Sequence, residues 1–485
     1  MIDRFEVDGL VASCHGAMSA IPASDWDCCG TAGHPLLQHR HLRILEECGL
    51  AAPEAGFTPH HLILREAGGA TGGAVIGAAP AWLKTNSAGE LGVDLGLPLA
   101  HERAAGPYYP KLQVEVPMVP NPGPRLLVRP GADAPRVRAA LLTALREAAR
   151  RAGASSVQIA YMTGADQRAA VAAGFVPAEG NVFVWRDRGK ADFTEFAGAM
   201  TQNGRTRVRK ERQRAAALGL RFDRLTGPRI TPDLAPRMFA FYRATYDRYG
   251  TTPALNLAYF EAAFREMADV IHLSVALQGE EWAAALMSVA GAPRLHAQYW
   301  GLAAPQEGLL FEMYYREMEY ALTRRLEEID FGGTGHHKTL RGIGIEPTCH
   351  ALWFRDETFT PLAARACARR RADAAAEREA EAQKLPFPDK APDMDGSDEA
   401  GTGMAGTGAT LWKAPSGKVA SEKAPSEKAP SDKSPSSMAP SGAVASEKEP
   451  SGTVASEKTP SGSAPSGKTR PAAALPDTAQ PEVVT

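Results

Sequence analysis

The string Phe331-Gly332-Gly333-Thr334-Gly335-His336-His337-Lys338, with Arg341-Gly342 just beyond it, concentrates the chemistry of this chain. Glycines let backbone N–H groups approach a ligand without interference from a Cβ, and neighbouring cations can then hold an anion. Lys338 and Arg341 read as anion clamps, Arg because it stays charged and grips phosphate or carboxylate in a bidentate way. His337 is the base of the group by intrinsic pKa, since imidazole titrates near neutral pH. The same residue would equally serve as a structural histidine bonded to a carbonyl. Gly332, Gly333 and Gly335 are expected to shape the turn.

A second concentration of charge lies in a predicted helix over about 201–218. Arg205, Arg207, Arg209, Lys210, Arg212 and Arg214 crowd it, with Glu211 the one acid among them. Such a run repels itself unless an anion or an acidic surface compensates it. A tRNA acceptor stem, a nucleotide-linked precursor or a coenzyme pyrophosphate would each serve. His336, His337, Cys349 and His350 do not form a convergent ligand set, because adjacent residues on a strand point to opposite faces; no metal site is expected.

The elements that must position these residues read as α/β. In the first half a helix is expected over 34–48, then strands at 61–65 and 74–83 bracketing a Gly-rich turn, and a strand at 111–116 ended by Pro117. The prolines of 120–124 enforce an irregular loop. A helix over 134–152, a strand at 156–160, a short helix ending at Gly174 and a strand pair over 175–185 follow. The second half repeats the order: the basic helix, a strand at 220–225, helices over 234–249 and 258–267, and strands at 270–277, 282–289 and 294–300. An amphipathic helix over 309–326 comes next, with Phe311, Tyr315, Met318, Leu322 and Leu326 on one face. A strand at 328–331, the glycine-rich turn and a strand at 349–355 close it.

Of the 485 residues, those from about 386 onward are dominated by Ala, Pro, Ser, Lys and Glu in short repeats and are expected to be a disordered tail. The remainder suits two domains, 20–190 and 191–385. With Lys+Arg 54 against Asp+Glu 56, the formal charge of −2 gives no bulk attraction to polyanions. Six cysteines without CxxC spacing point to reduced thiols, and no apolar run reaches membrane-spanning length, so a cytoplasmic protein is expected.

The strings His34-Pro-Leu-Leu-Gln-His39, Tyr108-Tyr109-Pro110-Lys111-Leu-Gln-Val114, Gly123-Pro-Arg-Leu-Leu-Val-Arg-Pro130, Tyr299-Trp300-Gly301, Phe311-Glu312-Met-Tyr-Tyr315 and Gly335-His336-His337-Lys338 stand in that order over roughly 25–385. Together they resemble a bacterial peptidoglycan biosynthesis or recognition family related to the Fem-type aminoacyltransferases. Asp330-Phe331-Gly332-Gly333 and Lys338-x-x-Arg341-Gly342 echo the Fem-type turn. The resemblance implies two tandem GNAT-like (acyl-CoA N-acyltransferase) domains with mixed sheets, the second carrying the reaction. It implies an N-acyltransferase that moves an acyl or aminoacyl group to an amine, in cell-wall precursor metabolism. The donor would be acetyl-CoA or aminoacyl-tRNA, so tRNA is an implied partner. The Gln/Arg-x-x-Gly-x-Gly/Ala coenzyme loop of GNAT proteins is not evident, nor is the long hairpin arm of some Fem-type enzymes, and His336 stands where the family turn carries a carboxylate. The alternative is a non-catalytic module of the same fold that binds a peptidoglycan precursor or RNA.

In such a fold the reacting carbonyl lies where two central strands part. By resemblance, the strand ending at Trp300-Gly301 and the helix beginning near Leu309 flank that gap. Glu312 would accept a proton from the amine, or simply complement the helix dipole. Tyr299 would protonate a leaving group, or be core. Tyr108, Tyr109 and Lys111 would line the groove between domains, or pack.

Overall fold

A computed structural model describes residues 3–68, 73–90, 96–291, 293–306 and 308–388. The expected disordered tail lies outside the described residues, except at its start. Pro386 and Phe387 belong to the fold: the Pro386 carbonyl accepts from Thr201 N–H, and the Phe387 ring is buried edge-on against Phe196.

The strands among the described residues form two sheets. The smaller has the order Asp3–Val7, Leu10–His15, His61–Glu66, Val75–Ala79, Leu127–Val128, all antiparallel. Its first hairpin lies ahead of residue 20, where the sequence placed the start of the first domain. Pro80 separates Val75–Ala79 from Ala81–Lys84, and the chain passes there from the smaller sheet to the larger. The larger sheet has eleven strands. Its order is Arg221–Thr226, Ile271–Gln278, Glu281–Ala290, Arg294–Leu302, Glu328–Asp330, Val176–Arg186, Gly344–Phe354, Ser156–Met162, Lys111–Val114, Ala81–Lys84, Phe57–Pro59. Two pairings in it are parallel, Arg294–Leu302 with Glu328–Asp330 and Lys111–Val114 with Ser156–Met162.

Each parallel pair is joined by a helix crossover, as parallel strands require. Ala134–Arg151 serves the first half and Leu309–Arg324 the second. Their apolar stripes explain why they lie on the sheet. Val137, Leu141, Leu145 and Ala148 of one are buried with Leu112, Val114, Val157 and Ile159. Met313, Tyr314, Met318 and Leu322 of the other are buried with Leu286, Leu295 and Ile329. The two halves interlock. Val176–Arg186, read from sequence as a strand pair, is one long strand seated between Glu328–Asp330 and Gly344–Phe354. Thr360–Ala382 is a helix that the sequence reading left unassigned; it packs on those same two long strands.

Helix Ala235–Tyr249 lies directly on strand Arg294–Leu302. A Cβ at Gly301 would run into the Phe241 carbonyl of that helix, and the Thr245 hydroxyl donates to the Trp300 carbonyl at 2.8 Å. Backbone cannot yield as a side chain does, so Gly301→Ala is expected to cost about 1–3 kcal/mol by overpacking. Urea unfolding measures it, and wild-type stability would show that the helix stands further off.

Candidate active site

The second-half strands part at a defined point. Arg294, Leu295 and His296 pair with Glu328, Ile329 and Asp330; beyond them Phe331 N–H donates to the Phe183 carbonyl instead. The turn is set by Asp330 and Gly332. Asp330 Oδ1 accepts from Gly332 N–H at 2.8 Å, and Gly332 takes φ 82, a left-handed conformation that suits glycine. From Ala297 to Leu302 the outer strand pairs only with Glu281–Ala290 among the described residues. Its register with that neighbour shifts between Met287 and Val289, a bulge that re-aims side chains beside the gap. The expected splay is therefore present.

At the fork stands a pair that the sequence reading did not assemble. His296 Nδ1 lies 3.2 Å from Asp330 Oδ2, with His296 3 % and Asp330 0 % exposed. The carboxylate fixes the ring, and Nε2 has no hydrogen-bond partner among the described residues. An imidazole oriented through one nitrogen and open at the other is the arrangement a general base needs. Asp330 was visible in the Asp-Phe-Gly-Gly string. His296 becomes its neighbour only through the parallel register.

The cations of the glycine-rich turn are already engaged. Lys338 is 1 % exposed, and its ammonium donates to the Phe331 carbonyl at 2.6 Å and the Thr334 carbonyl at 2.5 Å. Burial pulls its pKa down to about 7, with Asp330 opposing. Arg341 donates to Glu211 through Nη2 (2.5 Å) and Nε (3.1 Å) and to the His337 carbonyl at 2.5 Å, with its guanidinium over the Phe311 ring. Neither presents an open anion clamp; both hold the turn together. Gly335 takes φ 102, and a Cβ there would meet the His337 ring. Gly333, expected to need similar freedom, has no positive φ, and a Cβ there would meet nothing nearer than the Asn181 carbonyl at 3.9 Å.

His337 stacks parallel on Tyr314, and its Nε2 is buried without a partner. Burial, then Lys338 and Arg341, lower its pKa to about 4, so it stays neutral and takes up protons poorly. Glu312 lies at the helix start as expected but is 4 % exposed, 3.7 Å from Arg212 and 2.9 Å from Arg316. Burial still raises its pKa against those two cations. Both side chains are spoken for by packing and ion pairs. Tyr299 is core: burial drives its phenol pKa well up, which makes it a poor proton donor.

Of the basic helix, observed as Gln202–Ala217, three cations are engaged by neighbouring groups. Arg205 donates to the Met200 and Gly198 carbonyls, Arg207 to the Leu340 carbonyl, and Arg212 to Glu319 at 2.6 Å. Arg209 and Lys210 are exposed with no partner among the described residues. In the first half Tyr108 and Lys111 are buried. Lys111 pairs with Glu90 at 2.8 Å and Gln158 at 3.0 Å, and the Tyr109 hydroxyl donates to Glu90 at 3.4 Å. They form a closed polar layer of the first half, not an open wall between halves. Among the described residues no group of three or more His, Cys, Asp or Glu is placed to hold a metal ion, and no helix is long and apolar enough to cross a membrane.

Antiparallel strands, a crossover helix and a parallel strand that diverges, occurring once in each half, make this a tandem GNAT-like protein of mixed α/β sheets. The chain belongs to the FemAB-like family, described as peptidoglycan biosynthesis/recognition, which matches residues 17–389. Among solved structures it is similar to FemX, at 14% identity over 70% of this chain and 98% of that one, TM-score 0.47. It is also similar to a tandem GNAT protein from the clavulanic acid biosynthesis pathway, at 14% identity over 71% and 97%, TM-score 0.35. A third is the C-terminal domain of a putative lysylphosphatidylglycerol synthetase from Agrobacterium fabrum, at 12% identity over 58% and 83%, TM-score 0.39. No curated protein matches the chain.

Proposed function

We propose that the protein transfers an acyl or aminoacyl group to an amine acceptor in cell-wall precursor metabolism, with the second-half gap as reaction centre. The observation that carries this reading is the His296–Asp330 pair at the fork of the parting strands. In the reaction the amine nitrogen attacks the carbonyl carbon of an ester or thioester, and His296 Nε2 takes the proton the amine loses. Backbone N–H groups of the 297–302 segment are the donors we assign to the developing oxyanion; the Trp300 carbonyl is already held by the Thr245 hydroxyl. The acyl–oxygen or acyl–sulfur bond then breaks, and the leaving hydroxyl or thiol recovers a proton from the imidazolium. Asp330 acts on His296 by fixing its orientation.

Two features favour aminoacyl-tRNA over acetyl-CoA as donor. The start of helix Leu309–Arg324, where a coenzyme pyrophosphate would find helix N–H groups, is packed against the basic helix: a Cβ on Gly308 would sit 2.8 Å from the Glu211 carbonyl. Arg209 and Lys210, by contrast, are exposed and free to meet phosphate. The second reading, a binding module without turnover, draws on the engagement of Glu312 and His337 by their neighbours.

Incubating the chain with UDP-linked muropeptide and either charged tRNA or acetyl-CoA, followed by mass spectrometry for the new amide, separates these. Amide from charged tRNA supports the reading; tight binding with no amide from either donor favours the module. Reversing Arg209 and Lys210 to Glu is expected to weaken charged-tRNA binding about tenfold or more at low salt and to flatten its salt dependence. An unchanged salt slope would return these residues to an ordinary solvated face.

A further inference from the structure

The basic helix carries more positive charge than its surroundings answer. Glu211 is taken by Arg341, and Arg212 pairs with Glu319 and Glu312. Arg205 and Arg207 donate to neutral oxygens, those of Gly198, Met200 and Gln202 and that of Leu340. Arg209 and Lys210 are exposed, and no acid pairs with either among the described residues. Cations crowded into two turns in this way repel one another unless acid is brought to them.

The chain delivers acid to this helix. Thr201 N–H, at the helix N-cap, donates to the Pro386 carbonyl at 2.6 Å, and a Cβ at Gly204 would lie 2.7 Å from the Pro386 side chain. Phe387 is buried beside Phe196, with the Arg188 guanidinium 4.2 Å over its ring. Pro388, exposed, is the last described residue, so the chain leaves the fold beside the first turn of the helix. Residues 389–399 come next, with Asp389, Asp393, Asp395, Asp398 and Glu399 against Lys390 alone. Beyond them, through 485, acids and cations occur in nearly equal number, so the acidity is confined to the stretch nearest the helix. When extended, that stretch spans about 36 Å, against about 24 Å for the whole helix.

We propose that residues 389–399 dock along the exposed face of helix Gln202–Ala217 and pair with Arg205, Arg209 and Lys210. Exposed ion pairs are weak singly, but anchorage at Phe387 holds these acids close to the cations and lets the pairs act together. The positive end of the helix dipole adds to the attraction at the first turn. The docking stands whether or not the chain transfers groups. On the reading that Arg209 and Lys210 meet donor phosphate, the docked stretch competes with tRNA for them.

Zero-length carbodiimide coupling of the full chain at low salt, read by peptide mass spectrometry, tests the docking without nucleic acid. An amide between Lys210 and a carboxyl of 389–399 is expected, and it should be lost at about 1 M salt. The Lys384–Glu381 pair, 2.7 Å apart, couples in the same sample and shows that the reagent has acted. Absence of the Lys210 product beside that control overturns the proposal. So does a product found only between labelled and unlabelled copies in an isotopic mixture, which would make the occupant a second chain. Neutralising the stretch (Asp393→Asn, Asp395→Asn, Asp398→Asn and Glu399→Gln) should tighten binding of unacylated tRNA about tenfold at low salt. Unchanged tRNA affinity, with the amide present in the unaltered chain, would support the docking and count against the tRNA reading alone.

Discussion

His296→Gln is expected to lower the rate of amide formation by about 10²–10⁴-fold, the usual contribution of a positioned general base. A glutamine can still donate to Asp330 Oδ2, so the buried carboxylate keeps a partner and the fold should stand. It cannot carry the proton. Because the base acts only as the amine attacks, kcat and kcat/KM should fall together while acceptor binding is retained. Asp330→Asn should give a smaller loss, since the ring stays in place but its orientation and tautomer are no longer enforced. A rise in KM with kcat unchanged would make His296 a substrate-binding side chain and move the base elsewhere.

The largest effect on stability is expected at Glu211. This one acid of the basic helix is buried, takes two donors from Arg341 and accepts from the Tyr315 hydroxyl at 2.6 Å. The side chains of Glu211 and Arg341 are 8% and 7% exposed, so solvent screens the pair weakly. Glu211→Ala strands a buried guanidinium and should cost about 3–5 kcal/mol in denaturant unfolding. Replacing both partners, Glu211→Met with Arg341→Leu, should recover most of that, because no charge is left unpaired. A single-variant loss under about 1 kcal/mol would mean that water reaches Arg341 and that the turn is held by other bonds.

These two residues also show why the sequence was legible only in part. Arg341 looked like a free clamp beside a glycine-rich turn; its partner lies 130 residues earlier in the chain. Lys338 looked equally free, and its partners are carbonyls of its own turn, which no side-chain pattern announces. The splay was expected from the family resemblance alone; the succession of a strand, an amphipathic helix and a second strand is what a parallel pair requires. His296 was not legible, since its meaning depends on a three-residue register with Glu328–Asp330.

The same contrast holds for whole elements. Leu309–Arg324 and Ala134–Arg151 carry apolar stripes at helical spacing and were read nearly to their ends. Thr360–Ala382 is rich in Ala, Arg and Glu with no such stripe; only Ala363, Cys367, Ala374 and Glu381 are buried along it. Its place is set by tertiary partners, among them the Glu381 carboxylate that accepts from Thr339 at 2.8 Å and pairs with His336 at 2.9 Å. The polar layer of the first half escaped notice for a related reason. Lys111, Gln113 and Glu115 alternate as an exposed strand face would, yet that face is covered.

Hydrogen–deuterium exchange of the full chain, alone and with charged tRNA or acetyl-CoA, tests the location of the reaction centre most directly. Donor binding should slow exchange in the peptides covering 297–302 and 331–333, on either side of the fork beside His296. Protection that spares both peptides while the donor is demonstrably bound would contradict the account.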